Sequence, residues 1–111
     1  MASHFDARVA YAKKSKETAV EEFVESRQRL ASGIELTYYL PRAALDAGDS
    51  VLVVDDLIRS GETQELLLDI AHQTNAEVVG VFALIAVGEE GVERARRHTD
   101  APVGSLTQFD P

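Results

Sequence analysis

The chain contains no cysteine, which excludes disulfides, thiolate zinc sites and cysteine nucleophiles together. That absence fits a reducing compartment, and a cytoplasmic location is expected. Metal ligands must come from oxygen donors or from His4, His72 and His98, which are isolated in sequence and lack metal-ligand spacing. Long apolar runs are also missing. The longest, Val78 to Val87, falls well short of the ~18–20 residues of a membrane-spanning helix, and the opening MASHFDAR has no signal-peptide core. No membrane partner is therefore expected. Positive charge is scarce, with 11 Lys and Arg against 19 Asp and Glu and a net charge of −8. Such a balance repels nucleic acid, so no nucleic-acid partner is expected. The dense basic clusters are confined to Lys13-Lys14-Ser15-Lys16 and Arg94-Ala95-Arg96-Arg97. What remains is an ordinary 45% apolar content in 111 residues, enough for one packed domain spanning residues 1–111.

Hydrophobic spacing divides the chain into short elements. Phe5, Ala7, Val9 and Tyr11 alternate as in a half-buried strand. From Thr18 the apolar positions fall three or four apart, and Thr18 to Glu21 matches a capping box, so the local pattern predicts a helix over Ala19 to Ala31 ending near Ser32-Gly33. On such a helix Glu22 and Glu25 face solvent. Ile34, Leu36, Tyr38 and Leu40 alternate again before Pro41, placing Tyr38 and Tyr39 on opposite faces of a strand. Asp46 to Asp49 reads as a turn. Val51 to Val54 is a β-branched run without alternation, expected to be a strand buried on both faces and stopping at Asp55 and Asp56. A helix through Leu66, Leu67, Ile70 and Ala71 ends near Asn75, a second buried strand occupies Val78 to Val87, a polar helix surrounds Val92 to His98, and Pro102 to Leu106 forms a last strand. Strand, helix, strand, helix, strand is the order of an α/β fold with parallel pairing and right-handed crossovers.

Ligands of open α/β sheets bind beyond the carboxyl ends of the strands, which is where the loop from Val54 to Thr63 lies. Two carboxylates followed by a small, hydroxyl-bearing loop that opens a helix suit the two kinds of group on a sugar phosphate. Asp55 and Asp56 can accept hydrogen bonds from vicinal hydroxyls. Backbone amides at the helix N-terminus, with the Ser60 and Thr63 hydroxyls, can donate to phosphate oxygens. Gly61 permits close approach or a positive φ.

The stretch VLVVDDLIRSGET, Val51 to Thr63, resembles the phosphoribosyl pyrophosphate (PRPP) motif of type I phosphoribosyltransferases. RVAYAKKSK, LPRAALDAGDSVLVVDD and NAEVVGVFALIAV resemble purine-type, adenine-like members, while GEEGVERARRHTDAPVGSLTQFD is closer to orotate-type members. The resemblance implies the Rossmann-like parallel sheet of that fold. It also implies that Asp55 and Asp56 contact the ribose hydroxyls and serve as the catalytic pair, that Arg59, Ser60, Gly61, Glu62 and Thr63 wrap the 5′-phosphate, and that Lys13 or Lys14 approaches the pyrophosphate. Magnesium would arrive with PRPP rather than on protein ligands. The implied reaction moves phosphoribosyl from PRPP to a purine nucleobase, giving a nucleoside monophosphate and pyrophosphate, as in purine salvage.

Two positions of the motif depart from the family. Arg59 stands where a small residue is common, and Glu62 adds a carboxylate to a phosphate loop, tolerable where it faces solvent in the first helical turn. In the lid segment, Ala31 replaces the glutamate of adenine-type members. The hood, a strand and the pyrophosphate loop that precede the Phe5 to Tyr11 strand in the family are not visible, so an N-terminally truncated fold is expected. In the family that strand lies beside the motif strand, and its loss should expose an apolar edge or demand a replacement; a homodimer or an assembly with a complementing chain is expected. Two other functions compete. A receiver domain shares VLVVDD but needs a later phosphoacceptor aspartate and a lysine, and no lysine follows Lys16. A non-catalytic PRPP- or nucleotide-sensing regulator on the same fold is the stronger alternative.

Overall fold

The computed structural model describes residues 10–16, 18, 20–30 and 32–110. The expected Phe5 to Tyr11 strand lies mostly outside them; Ala10 to Ala12 are irregular, and Lys13 forms a single antiparallel bridge to Tyr39. The described residues form two sheets. The first is a hairpin of β1 (Phe23–Arg29) and β2 (Glu35–Pro41); the second is a parallel sheet of β3 (Ser50–Ile58), β4 (Glu77–Val87) and β5 (Val103–Phe109) in the order β3-β4-β5. Helix α1 (Glu62–Gln73) connects β3 to β4, and α2 (Glu90–Arg96) connects β4 to β5. Two successive crossovers in one direction put both helices on one face of the parallel sheet. There Val53, Val81 and Val103 pack with Leu68 of α1 and Ala95 of α2. Among the described residues no helix is long and apolar enough to cross a membrane.

The helix expected over Ala19 to Ala31 is instead β1. Val24 and Ser26 are buried and Gln28 half-buried, while Glu25, Arg27 and Arg29 face out. The inward row thus carries small and polar groups that an apolar search passes over. Pairing in full register from Phe23↔Pro41 to Arg29↔Glu35 overrides the local helical spacing. Gly33, at φ 89°, closes the hairpin with its amide donating to the Leu30 carbonyl, so the punctuation read as a helix stop is a strand turn. Tyr38 joins the inner cluster of Val24, Leu40 and Ile70, whereas Tyr39 meets the Phe23 ring edge-on and lies beneath the Lys16 ammonium.

β3 differs from expectation in two ways. It does not stop at the acidic pair, because its ladder with β4 continues through Asp55↔Ala83 and Leu57↔Ile85 to Ile58↔Ala86. Nor is it buried on both faces. Leu52 and Val54 are 57% and 58% exposed, since both helices cover the opposite face and β3 is the outermost strand. β4 occupies the expected span but is not buried throughout, Val79 and Leu84 being 48% and 50% exposed on the face that no helix covers; the Asn75 turn, at φ 59°, matches the sequence pattern, and α1 extends one turn further towards its N-terminus than its apolar stripe suggests.

Backbone packing between the two helices is glycine-dependent. Gly61 sits at φ 86° as the residue preceding α1, and a Cβ there would lie 2.7 Å from the Gly91 carbonyl oxygen. A Cβ on Gly91 would lie 2.5 Å from Ile58 Cγ2 and 2.6 Å from the Arg59 carbonyl. Gly91→Ala should therefore lower the unfolding free energy by about 1–3 kcal/mol. Gly104→Ala, whose Cβ meets nothing within 4 Å, should cost far less. Urea denaturation of the two variants checks the ranking, and equal losses would contradict it.

Candidate functional site

The site grows out of the end of β3. Asp55 is half-buried, and its carboxylate is fixed from two sides: Oδ1 accepts from the Asp56 amide at 2.8 Å and Oδ2 accepts from Gln64 Nε2 at 3.0 Å. Gln64, only 2% exposed, also donates to the Leu57 carbonyl at 3.1 Å. One side chain of α1 thereby ties the strand end to the helix. Burial, and then the adjacent Asp56 carboxyl, push the Asp55 pKa above its ordinary value, against the lowering effect of the Asp56 amide and Gln64. Asp56 is exposed.

The loop then turns at Arg59, Ser60 and Gly61 into α1, whose first turn has no side-chain cap. Its leading amides thus point out of the helix without a capping side chain, as anion-binding helix starts do. Glu62 does not enter this loop's centre; its carboxylate lies 3.9 Å from Arg94 Nη1 on α2. Arg59 is exposed, and its carbonyl is packed against Gly91. Asp55 and Thr63 share one groove, of about 1040 Å³, which runs along β3 and is walled on its far side by Ala10 to Ala12. Asp56, Arg59, Ser60, Gly61 and Glu62 are outside that groove's lining. Lys13 and Lys14 are exposed and follow the far wall directly in the chain, Lys13 being held by paired backbone hydrogen bonds with Tyr39.

Sequence reading missed a second polar centre. Glu65 of α1 accepts from Arg94 Nε at 3.1 Å and Nη2 at 3.0 Å, and from the Gln28 amide of β1, and also pairs with His98. Arg94, part of a basic cluster in the sequence, and His98, isolated in sequence, help to join β1, α1 and α2 at one carboxylate. The signal was faint: Gln64 lies in line with Leu68 and Ala71 on the buried stripe, and Glu65 is one residue away. Arg94 gives no local sign of its partner, which lies 29 residues away.

A family model described as a phosphoribosyl transferase domain matches residues 1–102. The chain belongs to that family. The phosphoribosyltransferase relatives it resembles are of the purine type. It is 30% identical over 114 residues to the xanthine phosphoribosyltransferase of Staphylococcus aureus, covering 95% of this chain and 56% of the relative. It is 39% identical over 67 residues to the adenine phosphoribosyltransferase of Methylobacterium nodulans, covering 60% of this chain and 37% of the relative. Among solved structures, adenine phosphoribosyltransferase from Rhodothermus marinus superposes with a TM-score of 0.70 at 29% identity, over 79% of this chain and 49% of that one. The Trypanosoma brucei enzyme, solved with AMP, pyrophosphate and ribose-5-phosphate, shares the fold with a TM-score of 0.76 at 17% identity, over 89% of this chain and 45% of that one. The chain thus spans 37% and 56% of the length of these two curated relatives.

The Glu65 centre makes a pH prediction. Hydrogen bonding from Arg94, foremost, holds the Glu65 pKa below its ordinary value near 4.5. A depressed folded-state pKa contributes stability that is complete above the unfolded value and drains away as pH falls through the folded one. Glu65→Gln should cost about 1–2 kcal/mol at pH 7, and its deficit against the parent should shrink below pH 4. Denaturation at both pH values checks this, and an unchanged deficit would contradict it.

Proposed function

We propose that this phosphoribosyltransferase domain binds PRPP at the end of β3 and, within a completed fold, transfers its phosphoribosyl group to a purine base in nucleotide salvage. The observation that carries the reading is the adjacency of a fixed carboxylate and an uncapped helix start. Asp55, clamped by Gln64 and the Asp56 amide, stands beside the loop that Gly61 turns into α1. Carboxylates accept from ribose hydroxyls while amides of Ser60 to Thr63 and the Ser60 and Thr63 hydroxyls donate to the 5′-phosphate. Arg59 adds positive charge at the loop, and Glu62 is drawn towards Arg94, which reduces its repulsion of the phosphate. Lys13 and Lys14 are assigned to the pyrophosphate.

In this reaction a base nitrogen forms a bond to ribose C1, the bond from C1 to the pyrophosphate oxygen breaks, and its electron pair leaves with pyrophosphate. The base nitrogen then gives up its proton. Positive charge gathers on the sugar as the leaving bond opens, and Asp55, from a fixed position, and the adjacent Asp56 favour that charge. No group of three or more His, Asp or Glu side chains among the described residues is arranged to hold a metal. Two adjacent carboxylates beside a phosphate loop do suit magnesium carried on the oxygens of its substrate. When bound with PRPP, magnesium would neutralise the leaving pyrophosphate.

Calorimetric titration with PRPP, with and without magnesium, tests the proposal. Asp55→Asn with Asp56→Asn should weaken binding by on the order of tenfold, the effect of losing about 1.4 kcal/mol of charged hydrogen bonding, and should leave the circular dichroism spectrum unchanged. Equal affinity in the double variant would contradict the site. Pyrophosphate release assayed with adenine and with xanthine separates transfer from sensing, since binding without turnover would favour the regulator.

A further inference from the structure

Glu62 is the first residue of α1, so its carboxylate is tethered within reach of the very amides that the sugar-phosphate reading assigns to the 5′-phosphate. The positive end of a helix attracts a carboxylate as it attracts a phosphate. The loop therefore carries a competitor for its own ligand. In the structure that competitor is turned aside. The Glu62 side chain is only 25% exposed, and its Oε1 lies 3.9 Å from Nη1 of Arg94 on α2, an ion pair at a distance too long for a hydrogen bond. Among the described residues Arg94 is the one cation within ion-pair reach of Glu62.

The position of the guanidinium is fixed from two directions. Arg94 Nε and Nη2 donate to the two carboxylate oxygens of Glu65 at 3.1 and 3.0 Å. That fork sets the plane of the group and leaves Nη1 for Glu62. The stem is fixed by backbone packing, since a Cβ built on Gly61 would lie 3.1 Å from Arg94 Cβ. Arg94 thus starts directly beside the residue that opens α1. Glu65 foremost, and then Glu62 and Glu90, raise the Arg94 pKa against the lowering effect of burial. One cation serves three carboxylates, so its removal leaves Glu62 with nothing to hold it away from the helix start.

We propose that Arg94 is a positioning residue of the loop, holding the Glu62 carboxylate off the leading amides of α1 so that a phosphate can take them. This rests on the sugar-phosphate reading of the loop and adds to it a control on anion affinity supplied by the second helix. Arg94 makes no contact with the ligand and acts through Glu62 alone. The loss on removing it is therefore a repulsion by Glu62, which a second substitution can relieve.

A double-variant cycle read by calorimetry with ribose 5-phosphate tests the proposal. Arg94→Gln should weaken binding about tenfold, and Glu62→Gln in that background should restore most of the loss, whereas Glu62→Gln in the parent should tighten binding less than about twofold. A purely structural role for Arg94 predicts the loss without the recovery. Because Arg94→Gln strands the Glu65 carboxylate, the cycle is repeated with Glu65→Gln in every protein, where a pair of amides replaces the ion pair and circular dichroism checks the fold. The recovery should persist there. An Arg94→Gln protein that binds like the parent, or a Glu62→Gln effect equal in both backgrounds, would overturn the proposal and leave the phosphate reading of the loop standing. A parent that binds no ribose 5-phosphate would overturn both.

Discussion

The ladder between β3 and β4 is the constraint on which the rest of the molecule depends. Because pairing continues past Val54 to Ile58, the acidic pair is held by sheet geometry instead of hanging from a loose loop. Continuation also carries Arg59 and Gly61 against Gly91, where the absence of side chains lets the start of α1 approach α2. Gln64 then falls one turn along the helix and closes back on Asp55. Strand, turn and helix thus fix one carboxylate through backbone packing and a single buried amide.

Charge is distributed around this frame with two different outcomes. Asp55, partly desolvated and next to another carboxyl, has its pKa raised above its ordinary value, an effect that hydroxyl donors from a bound sugar would oppose. Glu65, on α1, is held ionised by Arg94. It serves as the junction of the hairpin, α1 and α2. Glu62 leans to the same arginine, so the cation that organises the junction also draws negative charge from the loop.

The strands and helices of the parallel unit were legible because their apolar rows have the right period and their ends carry recognisable punctuation, Asn75 above all. The acidic pair and its loop were legible as a motif. β1 was not, because its inward row of Val24, Ser26 and Gln28 includes polar groups, of which the Gln28 amide is met by Glu65, distant in sequence. The partners of Arg94 and His98 were not legible for the same reason: a salt bridge across two helices leaves no mark in a local window. The end of β3 was misplaced since carboxylates ordinarily interrupt strands, and only the partner strand shows that this one continues.

The central claim is that the end of β3 and the start of α1 together grip a phosphorylated pentose. Ribose 5-phosphate alone isolates that claim from base, pyrophosphate and turnover. Titrated into the isotopically labelled protein, it should shift the amide resonances of Ser60, Gly61 and Thr63 together with those of Asp55 and Asp56, saturably and without disturbing Glu65 or Arg94. Shifts confined to the region between β1 and α1, or no saturable shift at the loop, would contradict the account.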